Sequence, residues 1–110
     1  MSYSVIPIDR FKKEAKRIAK KYPLLKNELS ELDKTLTRNP ETGTPLGNNA
    51  YKIRLAIRSK GKGKSGGARV ITYLITEEKE VYLLAIYDKS ELDNIDDNVL
   101  KTIITDLIEK

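Results

Sequence analysis

The sequence contains no cysteine and no histidine among its 110 residues. Without cysteine the chain can form no disulfide, no reactive thiolate and no Cys-based metal site, which indicates a reducing compartment such as the cytoplasm. Without histidine it lacks the commonest metal ligand and the commonest acid–base catalyst near neutral pH. Any catalysis would therefore depend on other titratable side chains.

Long apolar runs are absent as well. No stretch approaches the roughly 20 residues that cross a membrane, and we expect no signal peptide because the N-terminus lacks an apolar core. Hydrophobic residues make up 39% of the chain and charged residues 34%. This composition is typical of a soluble globular protein, and the length suits one domain.

Charge is distributed unevenly along the chain. Residues 10–26 carry eight cations against the single acid Glu14, whereas the segment from Asp88 to the end carries seven acids against three lysines. The net charge is +5. A basic body with an acidic C-terminal segment favours nucleic acid or an acidic protein as a partner, although a solvated basic helix would have the same composition.

Two helices are predicted before residue 40. Asp9 can cap a first helix whose apolar positions fall on one face, and Pro23 ends it because proline cannot continue a helix interior. Leucines spaced four, three and four apart define a second helix to about Arg38. The glycine- and proline-containing stretch from there to Asn49 is predicted to be a loop.

Four strands and a final helix complete the predicted fold. The predicted strands are residues 3–8, 50–59, 68–76 and 81–87. The last strand is apolar on both faces, which is typical of a central strand covered on each side. An amphipathic helix starts near 96–98. The order β-α-α-β-β-β-α predicts an α+β fold, with its helices packed on one face of a small, mostly antiparallel sheet.

The most informative segment runs from Tyr51 to Arg69 and carries seven cations and no acid. Its first half has the period of a half-buried strand, so one face can join a core while Lys52, Arg54 and Arg58 stand together on the other. A glycine-rich loop follows, with cations at every second position. These loop cations are Lys60, Lys62 and Lys64. Such a surface favours a phosphate backbone as its partner.

The loop also matches G-x-G-x-x-G at residues 61–66. In a dinucleotide site that motif stands between a strand and a helix, so that the pyrophosphate meets the helix N-terminus. Here another strand follows, which argues against a dinucleotide-binding fold. The P-loop pattern also fails, because Arg58 occupies the position of its first glycine. We interpret the segment as a flexible cationic loop able to wrap an irregular polyanion.

Two segments resemble a known family. They are Y-K-I-R-L-A-I-R-S-K-G-K-G-K-S-G-G-A-R-V-I-T-Y-L and V-Y-L-L-A-I-Y-D-K-S-E-L. The resemblance is to the RelE/HigB toxins of bacterial type II toxin–antitoxin systems, within the RelE/ParE superfamily, and it covers nearly the whole chain. It implies that residues 1–110 form a single RelE-like toxin domain. It also implies an mRNA interferase that cuts mRNA in the ribosomal A site and is silenced by an antitoxin.

The same resemblance implies a set of site residues. Lys52 and Arg54 match the family's pair of cations on the strand entering the site, and Arg69 matches the arginine that opens the next strand. Lys89 occupies the cation position at the end of the last strand. Tyr87 resembles an aromatic residue of HigB-like members. Because nothing after it is aromatic, the C-terminal tyrosine that RelE uses is either replaced by Tyr87 or missing.

RNA can be cut without a metal or another cofactor if its 2′-hydroxyl attacks the adjacent phosphate, giving a 2′,3′-cyclic phosphate and a 5′-hydroxyl. Arg54 and Arg69 suit the pentavalent phosphorane, because the guanidinium fork pairs two phosphate oxygens. Lys52 is the candidate base, since neighbouring cations and partial burial favour the neutral form of a lysine. Tyr87 or Lys89 can protonate the leaving oxygen. The loop cations are expected to bind RNA backbone.

Each candidate residue also has a purely structural alternative. Tyr87 would be a core residue, Lys89 would pair with Glu91, and Arg69 would brace its own loop. Lys52 and Arg54 would bind phosphate without catalysis. The alternative functions are a ParE-like toxin that binds gyrase and a non-catalytic RNA-binding domain. Clustered cations argue against the gyrase alternative, because a protein-binding toxin has no need of them. The acidic C-terminal helix is expected to cover the basic cleft or to be displaced by antitoxin.

Overall fold

A five-stranded sheet lies between a helical hairpin and a single C-terminal helix. The computed structural model describes residues 2–57 and 67–109. The elements in chain order are β1 (Ser4–Pro7), α1 (Asp9–Lys21), α2 (Leu25–Arg38), β2 (Thr44–Gly47), β3 (Ala50–Leu55), β4 (Ala68–Ile75), β5 (Glu80–Asp88) and α3 (Asp97–Ile108). This order confirms the predicted α+β fold, with one additional strand, β2.

The basic loop lies outside the described residues. With it lie four of the predicted RNA-binding cations and the end of the strand predicted to run to residue 59. These cations are Arg58, Lys60, Lys62 and Lys64. Within the described ranges, no helix is long and apolar enough to cross a membrane.

The strands are arranged in the order β1-β5-β4-β3-β2. β1 runs parallel to β5, and the other three pairs are antiparallel, so the sheet is mixed but mostly antiparallel. β5 lies between β1 and β4 and is buried from Leu83 to Asp88. The prediction of a central last strand is thereby confirmed.

Both faces of the sheet are covered, so the prediction that all helices pack on one face is wrong. One core cluster joins the helical hairpin to the sheet through residues such as Ile18, Leu36 and Ile86. A second cluster joins α3 to the opposite face and includes Tyr87 and Ile103. The physical reason is the sequence of β5, which offers apolar side chains to both sides and needs a helix on each.

β2 falls in a stretch predicted to be a loop. Asn48 and Asn49 both have positive φ, 51° and 65°, which is the requirement of a two-residue type I′ hairpin turn. Asparagine tolerates this left-handed region better than most residues. Pro45 is accommodated because β2 is an edge strand and needs fewer ladder hydrogen bonds.

The N-termini of α3 and α1 differ in whether the predicted aspartate caps the helix. Asp96 caps α3, because its Oδ1 accepts hydrogen bonds from the backbone N–H groups of Asn98 at 2.7 Å and Val99 at 3.4 Å. This start lies where the sequence predicts it. Asp9 does not cap α1 as predicted; it is the first helical residue and Ile8 occupies the cap position. A carboxylate in the first turn still interacts favourably with the positive end of the helix dipole.

Candidate active site

Arg54, Arg69 and Tyr87 form one line across three adjacent strands. Arg54 of β3 is the register partner of Arg69 of β4, and Arg69 is the register partner of Tyr87 of β5. Register partners point to the same side of a sheet, and neighbouring strands lie about 4.8 Å apart. The three side chains therefore belong to the face that α3 packs against, because Tyr87 is part of that core cluster.

Lys52 lies on the same face, two positions before Arg54 on β3, a separation of about 6.8 Å along the strand. It borders a pocket with a volume of about 460 Å³, here called the site pocket. The pocket is lined by Leu46, Lys52, Ile71, Tyr87, Asn94, Ile95, Asp97 and Leu100. Two other pockets, one between α1 and α3 and one between α1 and α2, contain none of the predicted site residues.

The two arginines of the line differ in their surroundings. Arg54 is exposed, whereas only 5% of Arg69 is accessible to solvent. Arg69 Nη1 donates a hydrogen bond to the backbone carbonyl of Ala68 at 3.0 Å. This carbonyl belongs to the preceding residue of β4, so the hydrogen bond holds the Arg69 guanidinium against its own strand.

Tyr87 is a core residue with a polar end. Its hydroxyl is buried, and no hydrogen bond of normal geometry reaches it from the described residues. Burial raises the pKa of Tyr87 above its ordinary value of 10.0. The nearby backbone amide of Ile95 and the positive charge of Arg69 both act in the opposite direction, and burial is the larger effect. At neutral pH the hydroxyl therefore carries its proton.

Two lysines contact the segment that joins β5 to α3. Lys52 Nζ donates a hydrogen bond to Asn94 Oδ1 at 3.1 Å. Lys89 Nζ donates to the backbone carbonyl of Asp93 at 2.9 Å and lies 3.6 Å from its carboxylate. Lys89 does not pair with Glu91 as its structural alternative proposed; Arg17 of α1 holds Glu91 at 3.4 Å. Asp93 lies four residues after Lys89 in the connection between β5 and α3.

A tight turn after β5 fixes the position of Lys89. Asp88 is 1% exposed, and its Oδ1 accepts hydrogen bonds from the backbone N–H of Ser90 at 2.9 Å and from the Ser90 hydroxyl at 2.8 Å. The backbone N–H of Lys89 donates to the carbonyl of Gly67 at 3.0 Å, which extends the ladder past β5. Lys89 therefore follows β5 in a turn that hydrogen bonds hold in place.

Helix α1 supports the same end of β5 from the side. β1 pairs with β5 only as far as Leu83, so among residues 2–57 and 67–109 the edge of β5 beyond Leu83 has no strand partner on that side. There the backbone N–H of Ile86 donates to Glu14 Oε1 at 3.2 Å. Burial raises the pKa of Glu14 above 4.5, whereas this hydrogen bond and the charges of Arg10 and Arg17 lower it to a smaller extent. Glu14 thus supplies the acceptor that a neighbouring strand would otherwise offer to Ile86, the residue next to Tyr87.

The five predicted catalytic residues thus lie at one end of β3, β4 and β5. Lys52 and Tyr87 share the site pocket, Arg54 and Arg69 continue the line from Tyr87, and Lys89 follows β5 directly.

The sequence interpretation missed Asp88, Asn94 and Glu14. The D-x-S pattern of residues 88–90 is a signal for a side-chain-stabilised turn and was available in the sequence. Nothing local to the sequence connects Asn94 with Lys52 or Glu14 with Ile86, because these pairs are 42 and 72 residues apart.

Fold and site together define an α+β protein that gathers cations and a protonated tyrosine on one face of its sheet. Residues 10–106 match the family model described as the RelE toxin of the RelE/RelB toxin–antitoxin system. The chain therefore belongs to the RelE toxin family, which confirms the resemblance drawn from the sequence.

A solved structure supports the same fold. The chain is similar to a double arginine-to-alanine mutant of the E. coli toxin RelE in the free state, with a TM-score of 0.61 and 19% sequence identity. The match covers 84% of this chain and 90% of that chain. At this level of identity the likeness concerns the fold alone.

Proposed function

We propose that this chain is a ribosome-dependent mRNA endonuclease of the cytoplasm that is neutralised by a cognate antitoxin protein. The observation that carries the proposal is the line from Arg54 through Arg69 to Tyr87, with Lys52 on the same face. A row of cations at strand spacing matches a polyanion whose phosphates are held in an extended chain. Membership of the RelE toxin family supports the same conclusion.

The proposed reaction uses the RNA as its own nucleophile. The 2′-hydroxyl loses a proton, its oxygen forms a bond to the adjacent phosphorus, and the bond from phosphorus to the 5′-oxygen breaks. The products are a 2′,3′-cyclic phosphate and a 5′-hydroxyl, so no water is consumed and no metal or other cofactor is required. The protein supplies in-line positioning, charge stabilisation and two proton transfers.

The positions of the residues support a division of roles. Arg54 and Arg69 are adjacent in register and can bind different oxygens of one phosphorane. Lys52 accepts the proton of the 2′-hydroxyl, and Lys89 adds positive charge at the leaving oxygen. Tyr87 donates the proton to that oxygen, because its raised pKa keeps it protonated at neutral pH.

The free chain does not present Tyr87 to solvent. Its hydroxyl is buried beside Ile95, and Asn94 is held by Lys52. In the proposal, bound mRNA takes Lys52 away from Asn94 and displaces this segment before the proton is transferred. Such a rearrangement requires binding energy from remote contacts, which the ribosome provides and a short free RNA does not. This is the physical reason we assign for dependence on the ribosome.

Primer extension on translated mRNA, after expression of the toxin, tests the proposal. Wild type is expected to produce cleavage ends within the reading frame, and Lys52→Ala and Arg69→Ala are expected to lose them. Because Arg69 is buried, Arg54→Ala serves as a second variant at an exposed position. Arg38→Ala, at the exposed end of α2, is the matched control and should cleave like wild type. DNA damage without mRNA cleavage would instead indicate a gyrase-binding toxin.

A further inference from the structure

Asp88 starts a single turn of helical hydrogen bonding directly at the end of β5. Its backbone carbonyl accepts from the N–H groups of Glu91 at 2.9 Å and Leu92 at 3.0 Å. Its Oδ1 accepts from the N–H of Ser90 at 2.9 Å and from the Ser90 hydroxyl at 2.8 Å, which is how an aspartate caps a helix N-terminus. Because only 1% of Asp88 is accessible to solvent, its carboxylate stabilises the turn and is not available to RNA.

Lys89 is the first residue of this turn, and its backbone is attached to the neighbouring strand. Its N–H donates to the carbonyl of Gly67 at 3.0 Å, and Asp88 before it is the register partner of Ala68. Gly67 and Ala68 directly precede Arg69 in the chain. The turn therefore fixes the backbone of Lys89 relative to that of Arg69.

The side chain of Lys89 has a partner in the free chain but is not fully covered. Its Nζ donates to the backbone carbonyl of Asp93 at 2.9 Å, and 31% of the side chain is exposed. A lysine carries its charge at the end of a flexible stem of four carbon atoms, so the reach of that charge depends on where the backbone holds Cα. When the ammonium leaves Asp93, the hydrogen bonds of Asp88 and Ser90 still hold the turn.

We propose that Asp88 is a positioning residue, which holds Lys89 where its ammonium reaches the leaving 5′-oxygen of the scissile phosphate. The inference rests on the proposed nuclease function and deepens it. Charge stabilisation of this kind depends on placement, and an error of about 1 Å lowers a rate by about 100-fold. Without the carboxylate the N–H of Ser90 loses its acceptor, the turn opens, and the lysine samples positions away from the phosphate.

Single-turnover cleavage of mRNA on ribosomes, with the toxin in excess, tests this role. Asp88→Ala should lower the maximal rate constant by about 10- to 100-fold and leave the half-saturating toxin concentration within about twofold of wild type. Partial unfolding would have the opposite signature, because a smaller folded fraction raises the half-saturating concentration and leaves the maximal rate constant unchanged.

Two further single variants complete the comparison. Asp88→Asn keeps an oxygen acceptor for the N–H of Ser90 and should restore the rate constant to within about fivefold of wild type. Asp33→Ala makes the same change as Asp88→Ala at an exposed position on α2, and it should cleave like wild type.

A double variant shows whether Asp88 acts through Lys89. Lys89→Ala removes the charge itself, so the addition of Asp88→Ala should lower the rate constant by less than a further threefold or about that. Independent residues would instead multiply their effects. Equal rate constants for wild type and Asp88→Ala, an Asp88→Asn variant as slow as Asp88→Ala, or multiplied effects in the double variant would each overturn the inference.

Amide hydrogen exchange of the free protein separates this inference from the nuclease proposal. In Asp88→Ala the Lys89 amide should exchange at least about tenfold faster, a larger change than at the buried Val70 of β4. If wild type cuts no mRNA, the nuclease proposal fails, whereas fast exchange at Lys89 still shows that Asp88 holds this residue. If wild type cuts mRNA and the exchange at Lys89 is the same in Asp88→Ala, only the positioning role is wrong.

Discussion

Arg54 and Arg69 lie directly opposite each other in the antiparallel pair of β3 and β4, so two guanidinium-bearing side chains share one face of the sheet. Like charges at opposed positions of a strand pair destabilise the sheet. A sequence selected only for stability would place an acid or a neutral residue at one of them. A phosphate bound between the two arginines offsets their repulsion. The arrangement therefore lowers the stability of the free chain and strengthens phosphate binding.

Arg54→Gln is expected to change stability and activity in opposite directions. The free energy of unfolding should rise by a few tenths of a kcal/mol, because the repulsion across the strand pair is removed. Cleavage of mRNA should fall about 100-fold, the usual effect of deleting one group that stabilises a charged transition state. Urea unfolding and primer extension measure the two effects. The account of this pair is wrong if both properties decline together.

Tyr87→Phe removes a buried hydroxyl that forms no normal hydrogen bond with the described residues. Stability at neutral pH should therefore stay within about 0.5 kcal/mol of wild type, whereas cleavage should fall about 100-fold or more if the hydroxyl is the general acid. Tyr82→Phe is the matched control. Its hydroxyl donates to Glu80 at 2.8 Å, so that variant should lose about 1 kcal/mol of stability and keep its activity.

The same variant gives a pH signature. Because the folded-state pKa of Tyr87 lies above 10.0, the folded chain holds this proton more tightly than the unfolded chain does. Stability from this group is therefore present below pH 10.0 and is lost as the pH rises through the folded-state value. Above pH 10.0 the wild type should therefore lose stability relative to Tyr87→Phe. A difference that stays constant to strongly alkaline pH would show an unshifted hydroxyl.

Glu14 should respond to pH at the acidic end. Its raised pKa means that the folded chain binds this proton more tightly than the unfolded chain, so stability falls as the pH rises from 4.5 through the folded-state value. Glu14→Gln keeps an acceptor for the Ile86 N–H and removes the charge. It should be more stable than wild type at neutral pH and equal to it near pH 4.5.

Glu14→Ala is the contrasting variant, because it leaves the Ile86 N–H without its side-chain acceptor. We expect a loss of about 1 kcal/mol, since the position is only half-buried. Unfolding curves collected across the acidic range distinguish the two. If Glu14→Gln is as damaging as Glu14→Ala at neutral pH, the carboxylate charge itself is needed and the edge-covering role is wrong.

Gly67 is required by a close approach of two strands. Gly67 lies two residues before Arg69 in the chain. A Cβ atom on Gly67 would collide with the backbone carbonyl of Leu55 in β3. Gly67→Ala should cost about 1–3 kcal/mol, because the backbone of β3 or β4 must move. It should also lower cleavage, since Arg69 moves with the strand. Gly47→Ala is the control for space, with no atom within 4 Å of its Cβ, although its φ of 90° adds backbone strain. Thermal unfolding of both variants should show the larger loss of stability for Gly67→Ala.

Local sequence patterns predicted every element of this fold except β2, in the correct order, because each depends on residues close together in the chain. The alternation of Lys52 and Arg54 with Ile53 and Leu55 is visible in four residues. Local sequence patterns do not show which side of the sheet α3 covers. β5 offers apolar residues to both faces, and only the packing of the whole chain decides which helix covers each face.

The candidate site was predictable as a set of residues but not as an arrangement. The family pattern named Lys52, Arg69 and Tyr87, whereas the register that aligns Arg69 with Tyr87 depends on a bulge between Ile71 and Thr72. Sequence periodicity does not reveal a bulge, which inserts one residue and reverses the faces beyond it. The partners Asn94 and Glu14 depend on tertiary contacts for the same reason.

The chemistry of the cut ends tests the central proposal most directly. Purified toxin is added to ribosomes translating a defined mRNA, and the new ends are analysed for wild type and for the Lys52→Ala, Arg69→Ala double variant. The proposal predicts 2′,3′-cyclic phosphate and 5′-hydroxyl ends, formed only with ribosomes and lost in the double variant. Ends with a 5′-phosphate, or equal cleavage by the double variant, would contradict it.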